Sequence, residues 1–494
     1  MLRSFAIALM VLLLSACSTD SSTGIRSSEL ARWIPDPIEV VEEDSSISKE
    51  AVEAPITDSS EDHPSDGSDE VTEASADSGS TDDPIGEVYP ITLDVVLAIA
   101  KDQALSIQLA RLRLEVAAAT QQISTAAFLP TIGPRADYAR TDGAAQGTDG
   151  TVVDVSKNSL FSGIELRFDL DPWGDWHRFQ AAQDNLVATE QLLYWAEEFA
   201  LHRGALLFHD LIRSHGEIKI AQRSVLFSHQ LSLTAQSRLD AGDGLREDLL
   251  AALAKEAASD RDLVLARSQT KIASARLAEF LVLTEDTSFD PILVPASDQI
   301  TPNRFELDQW SGDQLVHRGL EMRPDLVAAR AKVDAARSLS RASSAWGRPT
   351  ISARSRIGRF GIDSSDQSDQ ETAEVGIGWQ FGLESTASHR RSVAIFEETQ
   401  LEAKKLELRI VTQIRISMAR LQASRAAMTA ARRQLEAGEE AMKLTESRYK
   451  AGAALLDELL GREADLAAAR TASLNSIISH NQAQFDLILA VGGP

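Results

Sequence analysis

LFSGIELRFDL, residues 160–170, is the stretch on which the fold turns. Leu160, Ile164, Leu166, Phe168 and Leu170 fall on one side of an extended chain, and Glu165, Arg167 and Asp169 on the other, because successive side chains of a strand point to opposite faces. Three further segments read the same way. Ile132, Pro134, Ala136 and Tyr138 alternate with Gly133, Arg135 and Asp137. Ile351, Ala353 and Ile357 alternate with Ser352, Arg354 and Arg356. Val375, Ile377, Trp379, Phe381 and Leu383 alternate with Glu374, Gly376, Gly378, Gln380 and Gly382. An apolar face opposed to one of charge, amide and glycine suits a surface with lipid on one side and water on the other. No stretch after the N-terminus is long and apolar enough for a membrane-spanning helix, so any crossing is made by strands. Four strands are too few to enclose a lumen, which takes about eight, and open edges are not tolerated in lipid. Several chains must therefore pool their strands.

Outward from the strands the chain is helical. Proline is absent from Trp173 through Asp290 and again from Thr350 through Gly493, two long windows without a helix breaker. Leu186, Leu193, Ala200 and Leu207 fall at sevens, as do Leu421, Met428, Leu435, Met442 and Tyr449. A period of seven marks a narrow seam between neighbouring helices. A helix over residues 177–240 would be roughly 95 Å long at about 1.5 Å per residue. Such helices alone would suit a coiled-coil rod; the strands argue against it.

The whole unit is written twice. Residues 101–132 match residues 320–351 at an offset of 219, pairing Ile107 with Leu326, Ala110 with Ala329, Arg111 with Arg330 and Pro130-Thr131-Ile132 with Pro349-Thr350-Ile351. Further on, Arg238-Leu-Asp-Ala-Gly242 matches Arg448-Tyr-Lys-Ala-Gly452 at an offset of 210. Each copy predicts one strand hairpin followed by one long helical hairpin, with repeats spanning residues 89–300 and 301–494.

The formal net charge of −25 is concentrated near the N-terminus. Between Ser18 and Val88 stand 20 acidic and 3 basic residues, a balance that argues against nucleic acid as a partner. This segment is rich in Ser, Asp, Glu, Thr and Gly, too polar to offset its ordering entropy, and reads as a flexible tether over residues 17–88. Before it, Arg3, the apolar run Phe5 to Leu14 and Leu14-Ser-Ala-Cys17 read as a lipoprotein signal over residues 1–16. Cys17, the single cysteine, is the expected lipidation site, and several acyl chains anchor durably where one does not. Ser18 after the cysteine favours the outer membrane as destination.

These features resemble the TolC-like outer-membrane efflux family over roughly residues 90–492. The resemblance rests on the helix-to-strand junctions Phe128-Leu-Pro-Thr-Ile132 and Gly347-Arg-Pro-Thr-Ile351, on the two Ala-Gly turns, and on Phe168-Asp-Leu-Asp-Pro-Trp-Gly174. It implies an α+β membrane protein: a homotrimer whose twelve-stranded outer-membrane β-barrel continues into a long periplasmic α-helical barrel. Such a channel docks on a periplasmic adaptor (membrane fusion) protein and an inner-membrane pump, here expected to be of the resistance-nodulation-division type. The family's adaptor-contact turns map onto Ala241, Gly242 and Asp243 in the first copy, and onto Ala451, Gly452 and Ala453 in the second. Its acidic periplasmic gate maps onto Asp457, beside Glu458. Leu460 stands where some members carry a second aspartate, which argues for a single ring. The second turn, counted from Gly452 to Asp457, reads one residue shorter than Gly242 to Asp248, and Lys450 replaces Asp240.

No phosphate-binding glycine loop, nucleophile elbow or zinc spacing is present, and no cofactor or enzymatic activity is expected. His177, His202, His209, His215 and His229 fall on the first long helix; none has a histidine partner three or four residues away, and no metal site is expected. Trp173 and Trp176 after the second strand suit an interfacial aromatic girdle. The reading is a passive exit duct for small toxic compounds or drugs, outer-membrane and lipid-anchored. A type I protein-secretion duct and a lipid-anchored periplasmic coiled-coil protein stand as the alternatives.

Overall fold

The structure, a computed structural model, describes residues 88–146, 148, 150–283, 288–291, 310–344, 348–379 and 382–493. The signal, Cys17 and the acidic tether lie outside these residues, as do the boundary at 300/301, Gly347, Gln380 and Phe381.

The described chain runs through one element order twice. The first pass is β1 (Val88–Ile91), α1 (Leu93–Gln103), α2 (Leu105–Ala126), β2 (Thr131–Gln146), β3 (Val152–Leu170), α3 (Pro172–Asp240) and α4 (Arg246–Phe280). The second is β4 (Ser288–Pro291), α5 (Gly312–Met322), α6 (Pro324–Ser343), β5 (Pro349–Gly361), β6 (Gln367–Trp379), α7 (Leu383–Lys450) and α8 (Leu456–Ala490). Paired helices match in length: 11 and 11 residues for α1 and α5, 69 and 68 for α3 and α7, 35 and 35 for α4 and α8. At about 1.5 Å per residue α3 is roughly 100 Å long. Local chemistry starts the elements. Asp171 caps α3 by accepting from the Gly174 N–H, with Pro172 in the first turn; Ser311 and Gln314 form a capping box on α5.

β2, β3, β5 and β6 form one antiparallel sheet in that order. Its register pairs Arg135 with Gly163, Glu165 with Arg356, Arg167 with Arg354, and Arg354 with Glu374. The charged residues read from the four segments therefore share a face. The opposite face is bare: Ile132 is 72% exposed, Ile164 54%, Ile357 60% and Val375 71%, whereas Glu165 is only 8% exposed. Water-soluble sheets bury their apolar face; this one leaves these apolar side chains exposed and encloses a carboxylate on the polar side. Both edge strands, β2 and β6, are open on their outer sides. The fourth strand is shorter than the alternation suggests. It ends at Trp379, and Leu383, read as its last apolar residue, is the first residue of α7 after an extended Gly382. The short parallel pair β1–β4 was not legible as strand; Phe289 N–H donates to Ser274 Oγ and its ring enters the core.

Pseudo-equivalent residues occupy equivalent places in the core. Ile107 and Leu326 are both fully buried, one against Ala200 and the other against Ile410 and Ile414. Along α7 the heptad residues Leu421, Met428, Leu435, Met442 and Tyr449 are buried or half-buried as expected. A second seam beside them consists of small residues: Ser417, Ser424, Ala431, Gly438 and Thr445. Small side chains in one row let the large ones of a neighbouring helix approach, and Leu466 of α8 lies 3.6 Å from where a Cβ on Gly438 would stand.

Candidate functional site

Two regions carry the candidate function: the tips of the helical hairpins and the charged face of the sheet. At the first tip α3 ends at Asp240; Gly242 has φ +81°, and the Asp243 N–H donates to Arg238 O at 3.0 Å while the Gly242 N–H donates to Leu239 O at 3.0 Å. At the second, Gly452 has φ +74°, with Ala453 N–H to Arg448 O at 2.8 Å and Gly452 N–H to Tyr449 O at 3.0 Å. Both are Schellman caps, in which glycine takes the left-handed position that closes the last turn. Ala241, Gly242, Asp243, Ala451, Gly452 and Ala453 are all exposed.

The geometry corrects one expectation. The two turns are equal in length: Leu245 caps α4 three residues after Gly242, and Leu455 caps α8 three residues after Gly452. Cap geometry, not the distance to the next aspartate, sets the turn. Asp248 is the third residue of α4, whereas Asp457 is the second of α8, so Asp457 corresponds to Glu247 rather than to Asp248. Asp457 is exposed in the first turn of α8 and has no ion pair among the described residues, a place where its charge suits the helix dipole. Glu458, next to it, pairs with Arg448 at 2.9 Å.

A contact that the sequence reading did not single out joins the tips. Arg238 donates to Tyr449 O at 3.1 Å and lies 4.5 Å over the Tyr449 ring, linking the first helical hairpin to the second. Behind it Leu231, Ala235, Ala252, Tyr449, Leu456 and Leu459 form a common core, and buried Glu463 of α8 accepts from Ser224 and pairs with Lys255 at 2.9 Å. The signal was the shared spacing of the two copies: Arg238 and Arg448 occupy the same cap position, yet among the described residues Arg238 meets the other hairpin and Arg448 bonds within its own.

At the opposite end the strand-to-helix passage ties the two copies together. Trp173 Nε1 donates to Arg341 O at 3.2 Å, and Arg348 lies 3.9 Å over the Trp173 ring. Trp173 and Trp176 are about half exposed. Asp171 and Asp175 both pair with Arg178, and a Cβ on Gly174 would collide with the Asp171 carboxylate, which explains the glycine in Asp-Pro-Trp-Gly.

The charged face of the sheet is organised around Glu165. Its carboxylate lies 2.8 Å from Arg167, 3.1 Å from Arg356, 3.2 Å from Arg135 and 3.9 Å from Arg354. Arg135 is shared with Asp137 at 2.6 Å.

The five histidines of α3 disperse to separate partners: His177 to Gln180, His202 to Asp486, His209 to the Ala205 carbonyl, His215 to the Leu211 carbonyl and His229 to Glu256. Burial holds His209 and His215 below the ordinary histidine range. Among the described residues no group of His, Cys, Asp and Glu is placed to hold a metal ion, and no helix is long and apolar enough to cross a membrane.

The chain has recognisable relatives. It is 23% identical over 408 residues to the pyoverdine export outer membrane protein OpmQ of Pseudomonas aeruginosa, across 80% of this chain and 83% of that one. Its fold is similar to that of the outer-membrane channel OprN, with a TM-score of 0.72 and 19% identity over 81% of this chain and 90% of that one. The Campylobacter jejuni outer membrane channel CmeC gives a TM-score of 0.71 and 16% identity, over 81% and 85% of the two chains. The model of the outer membrane efflux protein family matches residues 96–281 and 315–493. The chain belongs to that family, whose members are channels rather than enzymes.

Proposed function

We propose that the chain is the outer-membrane duct of a tripartite efflux system, passing small toxic compounds or drugs passively from an inner-membrane pump to the exterior. The observation that carries this reading is a sheet with exposed apolar side chains on one face, an arginine-ringed carboxylate on the other, and two open edges. Three such sheets joined edge to edge give a twelve-stranded barrel with a wet lumen and no unpaired edge. The apolar side of β3 from Leu160 to Leu170, exposed or half-buried along its length, is about 25 Å tall once strand tilt is allowed for, which suits an outer-membrane apolar band.

In this reading the signal of residues 1–16 is removed, Cys17 is lipidated, and residues 17–88 tether the anchor to two efflux repeats. The trimer's helical hairpins form the periplasmic tunnel. Ala241, Gly242, Asp243, Ala451, Gly452 and Ala453 meet a periplasmic adaptor, served by a resistance-nodulation-division pump, and Asp457 contributes a carboxylate ring at the entrance. A ring of like charges repels itself and attracts cations. Small-molecule cargo is favoured over secreted protein because the relative OpmQ exports pyoverdine.

The test is planar-bilayer recording of the purified, lipidated protein. Stepwise conductance that rises on Asp457→Ala supports the duct and its gate. Unchanged behaviour of that variant removes the gate, and a protein that inserts without conducting removes the duct.

A further inference from the structure

The sheet holds a pairing that stability alone disfavours. Arg167 of β3 and Arg354 of β5 are direct cross-strand partners, and like charges placed opposite one another destabilise a sheet. Glu165 answers only one of them well: it accepts from Arg167 at 2.8 Å but stands 3.9 Å from Arg354. Arg354 makes no hydrogen bond among the described residues. The Nε atoms of both arginines are shut off from solvent without a hydrogen-bond partner, while their side chains remain 43% and 39% exposed. Glu374, the Cα partner of Arg354 on β6, makes no ion pair with it.

The two guanidiniums border a concavity of about 270 Å³ on the charged face, shared with Asp169, Ser352, Glu374 and Gly376. Glycine at 376 keeps it open, since a Cβ there would come within 2.9 Å of Ser352 Oγ. Glu165 is nearly enclosed by four guanidiniums, while Asp137 pairs with Arg135 and the exposed Asp169 and Glu374 stand on the rim of the concavity, so the two guanidiniums offer directed donors in a site of balanced charge.

We propose that Arg167 and Arg354, with the Ser352 hydroxyl beside them, form a transit site for an oxyanion, a carboxylate or phosphate-type group carried by cargo or by a free anion. Paired planar guanidiniums match such a group bidentately. Asp169 and Glu374 on the rim repel the same group, which keeps the site weak enough to release it, as passage requires. In the trimer the site occurs three times around the lumen. The inference rests on the duct reading, because it places this face on the water-filled side.

The test uses the full-length trimer in planar bilayers, with inorganic phosphate as probe. Wild-type current should fall as phosphate replaces chloride, with a midpoint weakened about tenfold in Arg354→Gln, the loss expected for a charge-assisted hydrogen-bonded pair. Arg354→Lys should keep the wild-type conductance in chloride yet lose phosphate retention, since it keeps charge without the fork. Glu374→Gln should strengthen retention about threefold. Because Arg354 makes no hydrogen bond, its variants should still assemble, and trimer recovery checks this. Conduction indifferent to phosphate in the wild type, or equal phosphate sensitivity in all variants, overturns the site and leaves the duct standing. If the protein does not conduct at all, the duct reading fails, and titration calorimetry of phosphate into the detergent-solubilised wild type and Arg354→Gln decides the site on its own.

Discussion

The two tip glycines give the cleanest perturbation in the molecule. Gly242 and Gly452 have φ of +81° and +74°, and a Cβ built on either meets nothing within 4 Å. Alanine at these positions therefore meets no clash and pays only for the left-handed backbone, about 1–2 kcal/mol per residue. That is a factor of about 5–30 in the local opening equilibrium. The bonds at stake are those closing each Schellman cap, Asp243 N–H to Arg238 O and Ala453 N–H to Arg448 O. Amide hydrogen exchange on Gly242→Ala should thus quicken at residues 241–243 by about that factor, with the middle of α3 unaffected. Gly452→Ala should do the same at residues 451–453. Asparagine tolerates the left-handed region, so Gly242→Asn should recover most of the protection. Equal exchange in the alanine and asparagine variants, or no change in either, would refute the argument that backbone conformation fixes glycine here.

Other regions answer to other measurements. Arg323 is 3% exposed, bidentate to Asp325, bonded to Gln413 and the Ala490 carbonyl, and 4.7 Å over Trp195. Arg323→Met should destabilise by about 3–5 kcal/mol by stranding Asp325, and Arg323→Met with Asp325→Asn should recover part of the lost thermal midpoint. Arg238→Ala removes one hydrogen bond and one cation–π contact, about 1–2 kcal/mol together; cross-linking between the two tips should fall while the sheet is untouched. His209 is enclosed and its pKa is lowered chiefly by burial. The unfolded chain then takes up a proton first as pH drops below about 6.5, so stability is full above that pH and declines below it. His209→Leu should flatten the pH dependence of the thermal midpoint below about pH 6.5, with His215 supplying a residual slope.

How much of this was written in the sequence differs from element to element. The four strands were legible because a pleat with one apolar and one polar face leaves a two-residue period in the sequence. The long helices were legible from missing prolines and from large residues at sevens. The second seam of α7, Ser417 to Thr445, was not, because Ser, Gly and Thr carry no hydropathy signal and their role is to be small. β1 and β4 were missed because four residues are too few for a period to register. The tip caps were visible as Ala-Gly, but their equal length was hidden by counting to the wrong aspartate. Arg323 stands opposite Ala104 in the repeat alignment, but only the fold shows that both positions are buried and that the charge is enclosed there. The charge belt around Glu165 lay in plain sight as alternating Arg and Glu, yet its inversion into an enclosed carboxylate among exposed guanidiniums depends on strand register, which pattern alone does not fix.

The central claim is that three copies of this chain pool their strands around one water-filled path. Native mass spectrometry and planar-bilayer recording of a single purified sample test it together. The account predicts particles of three chains and a stepwise conductance carried by those particles. Monomers with no conductance, or trimers that insert and stay silent under every voltage and after Asp457→Ala, would contradict it.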